Sequence, residues 1–195
     1  GFKSLNVGKT EISGIELSVA GAGNLTNKLT VNLLAGYTYM NSISLEPNKV
    51  YEILDEPMYL NGQPIDSLTY ENSSSDPSML KYRYKHIAKS DIEVVYKEIS
   101  LGGSVRYNSF MHNIDTIFTT AAIAGIIPGI NESRGDDPNT DIIETHGKGD
   151  FIVDLRAGYQ VNEIIRFGII VNNIFNVEYI TRPANMMPPR TIALQ

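Results

Sequence analysis

The 195-residue chain contains no cysteine, which excludes a disulfide framework and thiolate metal ligation. It contains no tryptophan either, so tyrosine, with 11 copies, supplies most of its aromatic surface. No apolar run reaches the roughly 18 residues that a membrane-spanning helix requires. That rules out a helical membrane protein but not a strand-built one, because barrel strands hide their hydrophobicity by alternating it with polar residues. Bases are in the minority, 16 against 22 acids, and the net charge of −6 argues against a nucleic-acid partner.

What is present is a rhythm. Ile15, Leu17 and Val19 alternate with Gly14, Glu16 and Ser18; Val31, Leu33, Ala35 and Tyr37 alternate with Thr30, Asn32, Leu34 and Gly36. A period of two residues marks a β-strand. The same pattern predicts seven strands: 10–20, 29–40, 81–96, 99–108, 150–160, 164–173, and a last one from Arg190. Short turns are expected at 21–28, 97–98 and 161–163. Long loops are expected at 41–80 and 109–149, with a medium loop broken by Pro183, Pro188 and Pro189 before the last strand. Tiny turns at one end of a sheet and loops of about forty residues at the other are the habit of outer-membrane barrels.

The alternation sorts the residues into two faces. Leu33, Ala35, Val105, Val153, Leu155, Ile169 and Val171 fall on an apolar face. Asn32, Lys89, Asp91, Glu93, Arg106, Asp154, Arg156 and Arg166, with Glu16, fall on a polar one, as paired charges lining a wet lumen would. A half-buried sheet in a soluble protein also alternates. The aromatic residues favour the membrane: Tyr37, Tyr39, Tyr96, Tyr107, Phe151 and Tyr159 sit near strand ends, where amphipathic rings meet a membrane boundary. Charge is unevenly spread too. Residues 41–80 carry seven acids and one lysine, and residues 109–149 six acids and two bases. Seven strands, an odd number, cannot close antiparallel, so the expected fold is all-β: a meander forming an open arc of a larger transmembrane barrel.

The segment Gly149 to Tyr159, the run Gly168-Ile-Ile-Val-Asn-Asn-Ile-Phe-Asn-Val-Glu-Tyr179, and Pro188-Pro-Arg-Thr-Ile192 together resemble the end of the TonB-dependent outer-membrane receptors. Asn6-Val-Gly-Lys-Thr-Glu-Ile-Ser-Gly-Ile-Glu-Leu17 and Leu80-Lys-Tyr-Arg-Tyr-Lys-His86 are similar to further strand passages of that family. The resemblance implies import of a scarce ligand, such as an iron–siderophore complex or cobalamin, through a plugged 22-stranded barrel of the bacterial outer membrane. Its partners would be outer-membrane lipid, a small extracellular ligand and the energising TonB complex, the last reached through an N-terminal part missing here. On this reading residues 1–195 are the C-terminal barrel segment with the plug domain absent. The start at Gly1-Phe2 would be a cut, and the last strand departs from the family's aromatic terminus by ending at Leu194-Gln195. Tyr179 would be a boundary anchor, and Asn172, Asn173 and Asn176 would satisfy backbone where a strand ends.

Other chemistry is thin. His86, His112 and His146 share no metal-ligand spacing. The acidic run Asp136-Asp137-Pro138-Asn139-Thr140-Asp141 offers oxygens that calcium favours but lacks the spacing of an EF-hand loop. Gly8-Lys9-Thr10 lacks the upstream glycine of a phosphate loop. No nucleophile–base set is evident, so no catalytic, cofactor or metal residue is assigned and the ligand-binding residues stay unknown. The competing reading is a soluble antiparallel β-domain that grips a ligand with its long acidic loops.

Overall fold

A computed structural model describes residues 8–60, 63–109, 111–116, 149–181 and 185–195. Among these described residues are nine strands: β1 (Thr10–Thr26), β2 (Leu29–Ser44), β3 (Val50–Leu60), β4 (Gln63–Thr69), β5 (His86–Tyr96), β6 (Ile99–Asn108), β7 (Asp150–Gln160), β8 (Arg166–Asn172) and β9 (Thr191–Leu194). Seven of them form one antiparallel sheet in the order β1-β2-β5-β6-β7-β8-β9, a plain meander. The turns β1–β2, β5–β6 and β7–β8 share one end, and the connections β2–β5, β6–β7 and β8–β9 share the other. β1 and β9 are the edges and do not pair with each other, so the sheet is an open arc.

The sequence expectation needs four corrections. The 41–80 connection is not irregular: β2 runs to Ser44, and β3 pairs with β4 as a separate hairpin. The hairpin is masked in sequence by Asp55-Glu56-Pro57, which lie where its register shifts between Ile53 and Met58. β1 continues through Gly21 and Gly23 to Thr26 rather than turning at Gly21. β5 starts at His86 rather than at residue 81, because Tyr82 takes a left-handed backbone (φ 60°) and 81–85 are held by loop contacts. β9 has four residues and starts after Arg190, although Gln195 extends the ladder by bonding in both directions to Gly168.

The turns are built locally. Lys97 (φ 52°) makes the β5–β6 reversal, and its N–H reaches the carbonyl of Lys28 in the neighbouring turn. The Asn162 side chain accepts from the N–H of both Ile164 and Ile165, closing the β7–β8 turn.

Among the described residues no second layer covers the apolar face of the sheet. Leu17, Val19, Leu101, Phe167 and Leu194 are all exposed. Among the described residues the buried apolar ones are Tyr70, Met79, Met111, Ile114, Tyr179 and Ile180 from the loops, and Ile152 from the large sheet. The core therefore sits at the loop end, on the polar face.

Candidate functional site

Register places the charges in rows. Asn32, Glu93, Gly102, Arg156 and Ile170 lie opposite one another across five strands, and Leu34, Asp91, Ser104 and Asp154 form the next row toward the loops. Arg156 leaves β7, crosses β6 and grips Asp91 of β5 with two hydrogen bonds of 2.7 and 2.8 Å, its Nε lying 3.6 Å from Glu93. It can do so because position 102 is glycine: a Cβ there would come within 2.6 Å of the guanidinium. Arg106 pairs with Asp154 at 3.1 Å, and Asp154 also accepts from the Ser104 hydroxyl and from the backbone N–H of Asn173. Of the eight charges expected to pair, Asp91, Glu93, Arg106, Asp154 and Arg156 do so. Among the described residues Glu16, Lys89 and Arg166 have no ion-pair partner.

Above this wall the loops close into a cap. The segment 111–116 lies between 73–76 and 79–82 and is bonded to both: Ser75 N–H to the Ile114 carbonyl, Thr116 N–H to Ser73, and Tyr82 N–H to Asn113. Asn113 is wholly buried and donates to the Tyr70 hydroxyl and the Met79 carbonyl. The Tyr70 hydroxyl in turn donates to the Met79 carbonyl at 2.8 Å and accepts from Lys81 N–H at 2.7 Å. Asp115 receives both the Lys81 ammonium and the Tyr82 hydroxyl. The third connection joins through Ile180, which packs with Met111 and Ile114 and accepts the Tyr84 hydroxyl on its carbonyl.

This burial shows in the phenols. Burial raises the Tyr82 hydroxyl well above its ordinary value of 10.0, and the Asp115 carboxylate it donates to raises it further. Tyr84 is pushed up to about 12 by burial, with the negative charge of Asp150 adding to it. These phenols stay neutral donors and act as clasps between connections; none is poised as an acid or base near neutral pH.

On the apolar face the aromatic residues form two bands. Tyr37, Tyr39, Tyr107 and Phe151 lie toward the loops, and Tyr96, Tyr159 and Phe167 toward the turns. Phe151 and Tyr159 are eight residues apart, about 27 Å along a strand at ~3.4 Å per residue. A tilt of ~40° brings that to about 20 Å, close to the ~25 Å apolar band of a membrane barrel.

Two of the three histidines, His86 and His112, lie among the described residues. His86 stacks on Tyr37, lies tilted against Tyr39 in the loop-side band, and bonds the Tyr37 hydroxyl at 2.8 Å. His112 lies in the cap, and His146 is outside the described residues, as is the acidic run 136–141. Among the described residues no three His, Asp or Glu side chains are grouped to hold a metal. Tyr179 is not a boundary anchor but is buried in the cap at 4% exposure. Two of the three asparagines behave as expected: Asn173 (φ 51°) bonds both backbone groups of Val177, and Asn176 accepts from Arg190 N–H, whereas the Asn172 side chain donates to the Thr191 hydroxyl. The cap itself was not foreseen. Its only local signals are Ser73-Ser74-Ser75 and the pair Tyr82, Tyr84, which carry no period.

The chain was compared with known proteins. The family model for "TonB dependent receptor-like, beta-barrel" matches residues 1–174. The passage Pro188-Pro189-Arg190 lies outside that match. No curated protein matches. Among solved structures, the ferric-catecholate import receptor Fiu of Escherichia coli K12 in its closed form is 22% identical with a TM-score of 0.52, over 96% of this chain and 20% of Fiu. The siderophore receptor PiuA of Acinetobacter baumannii is 20% identical with a TM-score of 0.53, over 97% of this chain and 22% of PiuA. At such identities the likeness concerns the fold. The chain spans about a fifth of the length of these structures.

Proposed function

The chain belongs to the TonB-dependent receptor-like β-barrel family, and from that premise we propose that it is the C-terminal arc of a receptor that imports a scarce ligand. Proteins of this family reside in the outer membrane of Gram-negative bacteria, and this chain is an outer-membrane β-barrel segment. The family is one of receptors and transporters rather than enzymes. One observation carries the reading: neighbouring residues of β7 lie in different surroundings, with Phe151 52% exposed on the apolar face and Ile152 1% exposed under the loops. A soluble ligand-binding module would leave that apolar face in water, at a cost of roughly 25 cal/mol for each Å².

The unpaired outer edges of β1 and β9 are supplied with partners by further strands of a closed barrel, which removes the hazard of a free edge. The plug and the TonB-contacting segment belong to the part of the protein outside residues 1–195. The favoured ligand class is an iron–siderophore complex, because both Fiu and PiuA are described as receptors of that kind; cobalamin is the alternative. Deleting the full-length gene and measuring uptake of radiolabelled ferric catecholate, ferric hydroxamate and cobalamin under iron limitation tests this. Loss of one ferric complex, restored by the intact gene, is expected. Loss of cobalamin uptake alone would change the ligand class, and no loss of any would remove the import reading.

A further inference from the structure

Two arginines on the polar face make the same move one strand apart. Arg156 of β7 passes over Gly102 of β6 and ends on the carboxylates of β5. Arg166, just after the β7–β8 turn, passes over Gly158 of β7 and ends on Ser100 of β6, its Nη2 donating to the hydroxyl at 3.1 Å. A Cβ at position 158 would lie 2.6 Å from the Ser100 hydroxyl and 3.0 Å from the Arg166 guanidinium, so glycine leaves this seat open, as Gly102 does the first. The first arginine finds two acids; the second finds one neutral hydroxyl, and among the described residues no carboxylate pairs with it. A guanidinium has five N–H donors in a planar fork suited to a carboxylate, and Ser100 takes one.

We infer that Arg166 and Ser100 form a docking point for a carboxylate side chain of a polypeptide segment packed against the polar face near the turn end. The inference rests on the barrel reading above, in which that face is the inner wall. The recess beside it has a volume of about 220 Å³ and is lined by Glu93, Ser100, Arg156, Arg166 and Gln195, among others. That is below the roughly 300–1,000 Å³ of sites that enclose a small-molecule ligand, and it suits the end of one acidic side chain. Glu93 does not repel such a group strongly, because Arg156 and Asn32 hold its charge. The site sits at the end of the wall farthest from the loop cap, so what it holds is a part of the lumen filling and not a ligand captured by the loops.

The test uses the full-length receptor in outer-membrane vesicles. Arg166→Lys places an amine at the seat, and a water-soluble carbodiimide then condenses that amine with any carboxylate in ion-pair contact. The carboxylate is activated, the amine forms an amide, and the displaced oxygen leaves in the urea by-product. Mass spectrometry should find the amide joining position 166 to an Asp or Glu of a peptide outside residues 1–195. It should be absent from the native protein, and adding Gly158→Ala should reduce it by unseating the side chain. An amide only to Glu93 or another wall acid, or no amide at all, would overturn the inference. Heat-modifiable migration of the same sample reports barrel assembly. An assembled barrel with no amide refutes only this docking point, whereas a protein that forms no barrel refutes the reading beneath it as well.

Discussion

Phe151 and Ile152 are consecutive residues at one height of one strand, and they live in different media. Phe151 stands half-exposed on a face that nothing among the described residues covers, whereas Ile152 is sealed beneath the loop cap. The same contrast runs along the sheet, from Leu155 beside Asp154 to Ile169 beside Ile170. It teaches that this sheet is not stabilised as a soluble sheet is. The apolar face contributes nothing until lipid meets it, while the polar face is held within the protein by ion pairs and by a packed cap whose side chains come from three connections.

The sharpest way to break the comparison is to put a charge on the lipid side. Leu155→Arg should cost about 2–4 kcal/mol at the middle of the bilayer and strongly reduce assembly into lipid vesicles, read as the heat-modifiable fraction. Gln160→Arg, on the polar face by the turn, should leave assembly near the native level. Equal effects from the two would erase the distinction between faces.

Next in size is the cap. Asn113→Ala leaves the Tyr70 hydroxyl and the Met79 carbonyl each short of a buried partner, a loss of about 1–3 kcal/mol. Limited proteolysis should cut the loops faster while the sheet stays protected. Loss of both together would mean that the cap and the wall are one cooperative unit.

The cap should also yield to alkali. Tyr82 and Tyr84 have folded-state values raised above the ordinary 10.0 by burial, so their contribution is complete below pH 10 and is lost as pH rises through the folded values. Phenolate absorbance should therefore lag behind that of free tyrosine and appear together with loop cleavage. Titration of all 11 tyrosines at pH 10 with the loops intact would contradict this.

The smallest effect belongs to the wall. Gly102→Ala pushes the Arg156 guanidinium off its path to Asp91, but that pair is about a third exposed, and such pairs contribute about 1 kcal/mol or less. A shift in the urea midpoint of that order, with assembly intact, is expected.

How far the sequence could be read follows from these forces. The seven sheet strands and their two faces were legible because a strand's period of two is written in consecutive residues, as in Phe151 to Tyr159. The β3–β4 hairpin was not, since Glu52, Asp55, Glu56 and Pro57 give it the composition of a loop. The cap was illegible for a different reason. Asn113 meets Tyr70 across 43 residues and Tyr84 meets Ile180 across 96, and no local pattern encodes contacts of that span. The wall charges could be sorted to a face, but which of them pair depended on Gly102 clearing a path between strands.

The account's central claim is that alternate residues of β7 face lipid and lumen. These 195 residues hold no cysteine, so single cysteines introduced one at a time at positions 151–159, in a full-length receptor with any cysteine outside this segment replaced by serine, can carry a nitroxide in lipid bilayers. Its collision rates with oxygen, which concentrates in lipid, and with a water-soluble nickel chelate can then be compared. The account predicts strict alternation, with oxygen favoured at 151, 153, 155, 157 and 159 and excluded at 152, 154, 156 and 158. Uniform access of the nickel chelate to both sets would contradict it.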